Sequence, residues 1–268
     1  MTRLAETFDA LRARRERALI PYFTAGDPSL GDTRRLVVEA ARRGADVVEI
    51  GVPFSDPLAD GPVIQRAAQR ALAAGVTLPR VLELCRDLRG ELAIPLVALT
   101  YYNPVLAFGL KAFARSAVDA GLDGVIVADL PPEEAGPLSA ETTAADLDLI
   151  HLVAPTSTPA RMRRIARRSR GFVYVVSVTG VTGVRDALSP DLVRQLRALR
   201  SITAGPICVG FGISTPDHAR AVAPYVDGVV VGSAVVRLVE QHAGNPRLVD
   251  EVGAFISAMK APLRNGVV

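Results

Sequence analysis

Short runs of β-branched and aliphatic residues alternate with helix-length amphipathic segments about eight times along this chain, and few architectures accommodate that rhythm. The runs fall at 19–23, 47–50, 96–100, 124–128, 149–153, 172–176, 207–210 and 228–231. Between them, DTRRLVVEAARRG, LPRVLELCRDLRG, LKAFARSAVDAG and SPDLVRQLRALR place apolar residues three and four apart, with Gly at several ends. Repeated βα units imply a parallel sheet with helices covering it. About eight such units, without a linker or a break in composition, fit a closed (β/α)8 TIM barrel better than an open doubly wound sheet, although periodicity alone does not prove closure. The expected organisation is α/β, one domain spanning residues 1–268.

Composition agrees and excludes several classes. A chain of 268 residues, 49% hydrophobic and 22% charged, suits one large soluble domain with a substantial core. No segment reaches the apolar length of a membrane-spanning helix, and MTRLAETFDALRARRER mixes acids and arginines where a signal peptide needs an apolar centre, so a cytoplasmic protein is expected. Cys85 and Cys208 are far apart and read as buried free thiols. His151, His218 and His242 have no ligand spacing, so no metal is expected. The formal charge of +3 argues against nucleic acid as a partner. Arg161 to Arg170 holds six arginines, but Met162, Ile165 and Ala166 at helical spacing claim one face for the core, and no aromatic residues interleave. That segment reads as an exposed helix.

The stretch DVVEIGVPFSDPLADGPVIQ, residues 46–65, carries the strongest chemical signal. Val47, Val48 and Ile50 form a buried parallel strand, and packing gives no reason for Glu49 at its C-terminal end. Gly51, Pro53, Pro57 and Gly61 cannot continue a strand or a long helix, so a shaped loop brings Asp56 and Asp60 back over the strand end. Glu49 and Asp60 are the candidate working pair. Either acid would also serve as an ordinary loop or capping residue.

Glycine-bearing turns follow the last three strands: Gly180-Val181-Thr182-Gly183, Gly210-Phe211-Gly212 and Gly232-Ser233. Each glycine taken singly is a turn residue. Together, at the C-terminal face of a barrel, they let backbone N–H groups approach an anion, and the helix opening at Ser233 adds partial positive charge. A phosphate site is expected there.

These motifs resemble the tryptophan synthase α-subunit family over nearly the whole chain. The resemblance is carried by TAGDP from Thr24, EIGVPFSDPLADGPVIQ from Glu49, YYNPV from Tyr101, VADLPPEE from Val127, GFVYVVSVTGVTG from Gly171, VGFGIS from Val209 and VVGSAVV from Val230. The long acidic loop after the second strand is its most specific part. The resemblance implies retro-aldol cleavage of indole-3-glycerol phosphate to indole and glyceraldehyde 3-phosphate, with no metal or organic cofactor in this subunit. Glu49 matches the family's acid/base and Asp60 the carboxylate that meets the indole N–H. Tyr22, Ile64, Leu99, Ile126, Tyr174 and Phe211 match pocket-lining positions, though each would also be ordinary core. Gly183, Gly212, Gly232 and Ser233 match the phosphate holders, and Thr182 the residue that meets Asp60 when a lid at 177–189 closes.

The same resemblance implies a β-subunit partner that uses pyridoxal phosphate, in an αββα heterotetramer. Pro53, Asp56, Pro57, Asn103 and Pro104 match positions facing that partner, and would equally serve to shape loops. Two departures stand out: Tyr22 where many relatives have Phe, and Val178 where some have Arg. Three rival readings remain: another phosphosugar enzyme on the same barrel, which gives Glu49 and Asp60 no joint role; a stand-alone indole-releasing lyase; and a non-catalytic regulatory subunit, which would have no need of both acids.

Overall fold

The computed structural model describes residues 2–176, 188–210 and 212–264. Its strands are β1 (Ala18–Thr24), β2 (Val48–Gly51), β3 (Leu96–Thr100), β4 (Gly124–Val127), β5 (Asp148–Ile150), β6 (Leu152–Val153), β7 (Val173–Val176), β8 (Ile207–Gly210) and β9 (Gly228–Val231). Every pairing is parallel, in the order β5-β4-β3-β2-β1-β9-β8-β7-β6. The two ends of that order are consecutive pieces of one segment, the expected strand 149–153, interrupted at His151. The first piece bonds β4, with Gly124 opposite Asp148, and the second bonds β7, with Leu152 opposite Tyr174. At the interruption the His151 N–H donates to Ser169 Oγ at 3.0 Å while its carbonyl accepts from the Tyr174 N–H at 3.1 Å. The strand thus changes partner there, and the ring of pairings closes as a (β/α)8 barrel.

The helices are α1 (Arg3–Ala13), α2 (Leu30–Arg42), α3 (Pro62–Ala73), α4 (Leu78–Arg89), α5 (Tyr102–Phe108), α6 (Leu110–Asp119), α7 (Gly136–Ala144), α8 (Pro159–Arg168), α9 (Pro190–Arg200), α10 (Pro216–Val222), α11 (Ser233–His242) and α12 (Leu248–Arg264). The expected amphipathic segments appear as α2, α4, α6 and α9. On α8, Met162 and Ile165 are buried and the arginines face outward, two of them pairing with Glu133. Helices α3, α5 and α11 are additions, each inserted between a strand and the outer helix that returns the chain. No described helix is long and apolar enough to cross a membrane.

All seven residues of β1 are buried, because one face meets the outer helices and the other the lumen. The lumen is packed by Ala18, Ile20, Val47, Val97, Ile126, Ile150, Tyr174, Cys208 and Val230. Its N-terminal end is plugged by Leu4, Phe8 and Leu11 of α1, with the Phe8 and Phe172 rings 5.9 Å apart. Chemistry is therefore confined to the opposite, C-terminal end.

A repeated device secures the plugged end. Asp46, Asp123 and Asp227 each precede a strand, and each carboxylate accepts at 2.8 Å from one amide at the start of a neighbouring strand, that of Leu19, Leu96 or Ile207 respectively. Each is balanced by a cation, Lys260, Arg89 and Arg200 respectively. A strand-start N–H that would otherwise be buried unpaired is satisfied in this way.

Candidate active site

Strand β2 ends in the sequence Val-Glu-Ile-Gly, and alternation sends Glu49 into the lumen between Tyr22 of β1 and Val97 of β3. Glu49 is 2% exposed, and its Oε2 has no hydrogen-bond partner among the described residues. A buried carboxylate without a donor favours its protonated form. Burial, and secondarily the charge of Asp60, push its pKa up to about 8. Two residues on, a Cβ at Gly51 would lie 2.0 Å from the Tyr22 hydroxyl, and one at Gly210 would lie 2.3 Å from that of Tyr174. Glycine at these two strand ends lets both phenol rings lie across the mouth.

The loop after β2 is held from two sides. The Val52 N–H donates to the Leu99 carbonyl at 2.8 Å, and Gln65 Nε2 donates to the Asp60 carbonyl at 2.9 Å. Tyr101, at the N-terminus of α5, accepts from the Ala59 N–H at 3.1 Å, forms a tilted ring pair with Phe54 with centroids 5.3 Å apart, and sets its phenol beside the Asp60 carboxylate. Burial raises the pKa of Asp60 to about 6, and the Tyr101 hydrogen bond opposes that rise. At neutral pH the pair therefore divides into a protonated Glu49 and an ionised Asp60. Tyr101 was not singled out from sequence as a site residue. Its one signal was its place in the YYNP turn directly after a strand.

The other candidates group around this pair. Tyr22 and Ile64 are buried together with Ala67 and Val236, and half-buried Leu99 joins that patch to the lumen core, which contains Ile126 and Tyr174. Gly212 has φ +83°, a left-handed conformation that glycine tolerates, and Gly232 caps α11 without any side-chain hydrogen bond. The first helical bond there runs from the Val236 N–H to the Gly232 carbonyl at 3.1 Å, so the amides of Ser233, Ala234 and Val235 have no intrahelical acceptor. Phe211, Thr182 and Gly183 lie outside the described residues, as does the segment 177–187 of the expected lid; Ser189 caps α9 by accepting from the Leu192 N–H.

The partner-facing candidates separate. Pro53 is buried within the chain, Pro57 is half-buried and Asp56 is exposed. Asn103 and Pro104 lie in the first turn of α5 and not in a loop, with Asn103 exposed. Two large apolar side chains sequence reasoning had not marked stand outward beside them: Leu58 is 92% exposed and Leu106 on α5 is 51% exposed. No cluster of His, Cys, Asp or Glu among the described residues is arranged to hold a metal ion.

A closed parallel barrel with a protonated and an ionised carboxylate at its C-terminal mouth defines a (β/α)8-barrel enzyme suited to proton transfer. The family model described as tryptophan synthase alpha chain matches residues 8–263. Tryptophan synthase alpha chains of Geobacter sulfurreducens and Geobacter sp. (strain M21) are 49% and 48% identical to this chain, covering 99% of it and 100% and 99% of their own lengths. The crystal structure of tryptophan synthase subunit alpha from Legionella pneumophila superposes with a TM-score of 0.91 at 38% identity, over 98% of each chain. The chain belongs to the tryptophan synthase α-chain family, a lyase subunit family that cleaves indole-3-glycerol phosphate to indole and glyceraldehyde 3-phosphate in tryptophan biosynthesis. Membership implies a β-subunit partner.

Proposed function

We propose that Glu49 is the general acid and base of the cleavage and that Asp60 stabilises the charged ring. The proton on Glu49 goes to indole C3, and the positive charge that appears at the ring nitrogen is met by the Asp60 carboxylate, which accepts the N–H hydrogen bond. The Glu49 carboxylate so formed takes the proton of the glycerol hydroxyl next to the ring. The C–C bond then breaks, its electron pair restoring indole while the hydroxyl carbon becomes the aldehyde of glyceraldehyde 3-phosphate. Protons balance, and Glu49 ends protonated as it began. The observation that carries this reading is the orphan Oε2 of Glu49, an acid oxygen buried at the mouth with no hydrogen-bond partner among the described residues.

In this reading Tyr22, Ile64, Leu99, Ile126, Tyr174 and Phe211 form the walls, and Gly183, Gly212, Gly232 and Ser233 hold the phosphate. Thr182 meets Asp60 on closure of a lid at 177–189. The whole chain, 1–268, acts as one catalytic domain in the cytoplasm, with no metal or organic cofactor of its own. The β subunit, carrying pyridoxal phosphate, docks on Asp56, Pro57, Asn103 and Pro104 to build an αββα heterotetramer, with Pro53 shaping the loop beneath. Exposed Leu58 and Leu106 beside those residues support docking over the stand-alone lyase, since both would otherwise stay in water.

The test is Glu49→Gln, assayed by indole release with and without β subunit. The amide keeps the shape but cannot move a proton, so turnover is expected to fall at least about a hundredfold with phosphosugar binding retained. Retention of more than about a tenth of wild-type turnover would remove Glu49 from this role.

A further inference from the structure

Two of the inserted helices, α3 and α11, stand outside the regular alternation of strand and outer helix. Each begins at one end of the proposed substrate site: α3 directly follows Asp60 and Gly61, and α11 opens at Gly232 and Ser233. They pack on each other and on β1. Their inner faces meet in a small apolar patch of Tyr22, Ile64, Ala67 and Val236.

Outside that patch lies a chain of ion pairs. Arg70 of α3 holds Asp27, in the turn after β1, with both arms of its guanidinium: Nε to Oδ1 at 2.8 Å and Nη2 to Oδ2 at 2.9 Å. Its remaining nitrogen, Nη1, donates to Glu240 Oε1 of α11 at 2.8 Å. One turn earlier on α3, Arg66 forks onto the same Glu240, at 3.0 and 2.9 Å. The Asp27 side chain is 3% exposed, so its charge has no water to turn to. A planar fork satisfied on two sides leaves little rotational freedom, which a lysine could not reproduce.

We propose that Arg70 is a positioning residue which, with Asp27, Glu240 and Arg66, fixes the spacing between the phosphate end of the site at α11 and the Asp60 end at α3. The strap touches neither end directly. It acts as a ruler for a substrate that must reach both ends at once, and it is indifferent to a ligand that occupies only one. The inference rests on the proposed placement of the phosphate at Gly232 and Ser233.

The experiment measures binding of three probes: glycerol phosphate for one end, indole for the other, and indole-propanol phosphate for both, with the αβ complex as the protein. In Arg70→Gln the affinity for indole-propanol phosphate is expected to fall about tenfold and KM for the substrate to rise to match. The two fragments should stay within about twofold of wild type. Glu240→Gln, a change on the outer side of the strap, should give the same pattern more weakly, and Arg70→Lys should restore only part of the loss. If Arg70→Gln does not fold, the Glu240→Gln pattern decides. Equal losses for the fragments and the full analogue would overturn the proposal in favour of a merely structural role, as would no loss for the analogue. Gly232→Asp is the separate control: if glycerol phosphate binds it unchanged, the phosphate placement itself fails, whatever the strap variants do.

Discussion

Removing the Tyr101 hydroxyl tests the division of labour between the two acids. Cleavage requires Asp60 ionised and Glu49 protonated, so kcat/KM should be bell-shaped, rising as pH passes about 6 and falling as it passes about 8. The Tyr101 phenol favours the Asp60 carboxylate with a hydrogen bond, against the burial that disfavours it. A hydrogen bond to a charged group contributes about 1.5–3 kcal/mol, and each pKa unit corresponds to about 1.4 kcal/mol. Asp60 is half-buried, so water recovers some of the loss. Tyr101→Phe should therefore move the acid limb up by about one unit and leave the alkaline limb, set by Glu49, within a few tenths. The assay is indole release at subsaturating substrate from pH 5 to 9.5, both proteins with β subunit. At pH 6 the variant should lose most of its activity, and near pH 7.5 much less. An unmoved acid limb with uniformly lower activity would refute the argument, because the phenol would then act on loop placement and not on Asp60's charge.

Glu49 also bears on stability. Its folded pKa of about 8 lies above its ordinary 4.5, so the folded state gives up stability as pH rises between those values. Glu49→Gln should be more stable than wild type by up to about 3 kcal/mol at pH 7 and equal to it near pH 4, which urea titrations at the two pH values would measure; equal stability at both would contradict the buried neutral acid. Gly51→Ala puts a methyl where the Tyr22 hydroxyl lies 2.0 Å away, so it should cost about 1–3 kcal/mol and most activity, with stability partly regained in Gly51→Ala combined with Tyr22→Leu. No recovery in the double variant would place the strain elsewhere. Lys260→Met strands Asp46, which Lys260 meets at 2.9 Å with its own side chain only 3% exposed, and should cost about 3–5 kcal/mol in thermal or urea unfolding while kcat holds. A loss under 1 kcal/mol would show that water reaches the pair.

Much of the architecture was legible from local pattern, because the two faces of a barrel strand impose it. A strand covered on both sides must be apolar throughout, so 207–210 and 228–231 could be read to the residue, and a Glu at the end of the Val47–Val48–Ile50 run stood out as a candidate acid beside its reading as a loop or capping residue. The glycine turns and the Pro-rich loop likewise declare themselves through backbone geometry, which belongs to the residues themselves. Boundaries moved where satisfaction of backbone groups, and not side-chain period, decides: at His151 the strand divides because its amide finds Ser169 Oγ.

What sequence by itself determined is which faces are apolar, where the chain turns, and that Glu49 and Asp60 occupy the same end of the molecule. Tertiary structure alone decided which of them holds the proton. That depends on Glu49 Oε2 finding no donor among the described residues, whereas Asp60 lies against Tyr101, which comes from another βα unit. It also decided that Arg70 bonds Glu240, 170 positions away, and that Asp46, Asp123 and Asp227 cap neighbouring strands. The hydrophobic period records only inside and outside. The choice of a polar partner across the ring is made when the barrel closes and water is removed, and a local pattern carries no record of that event.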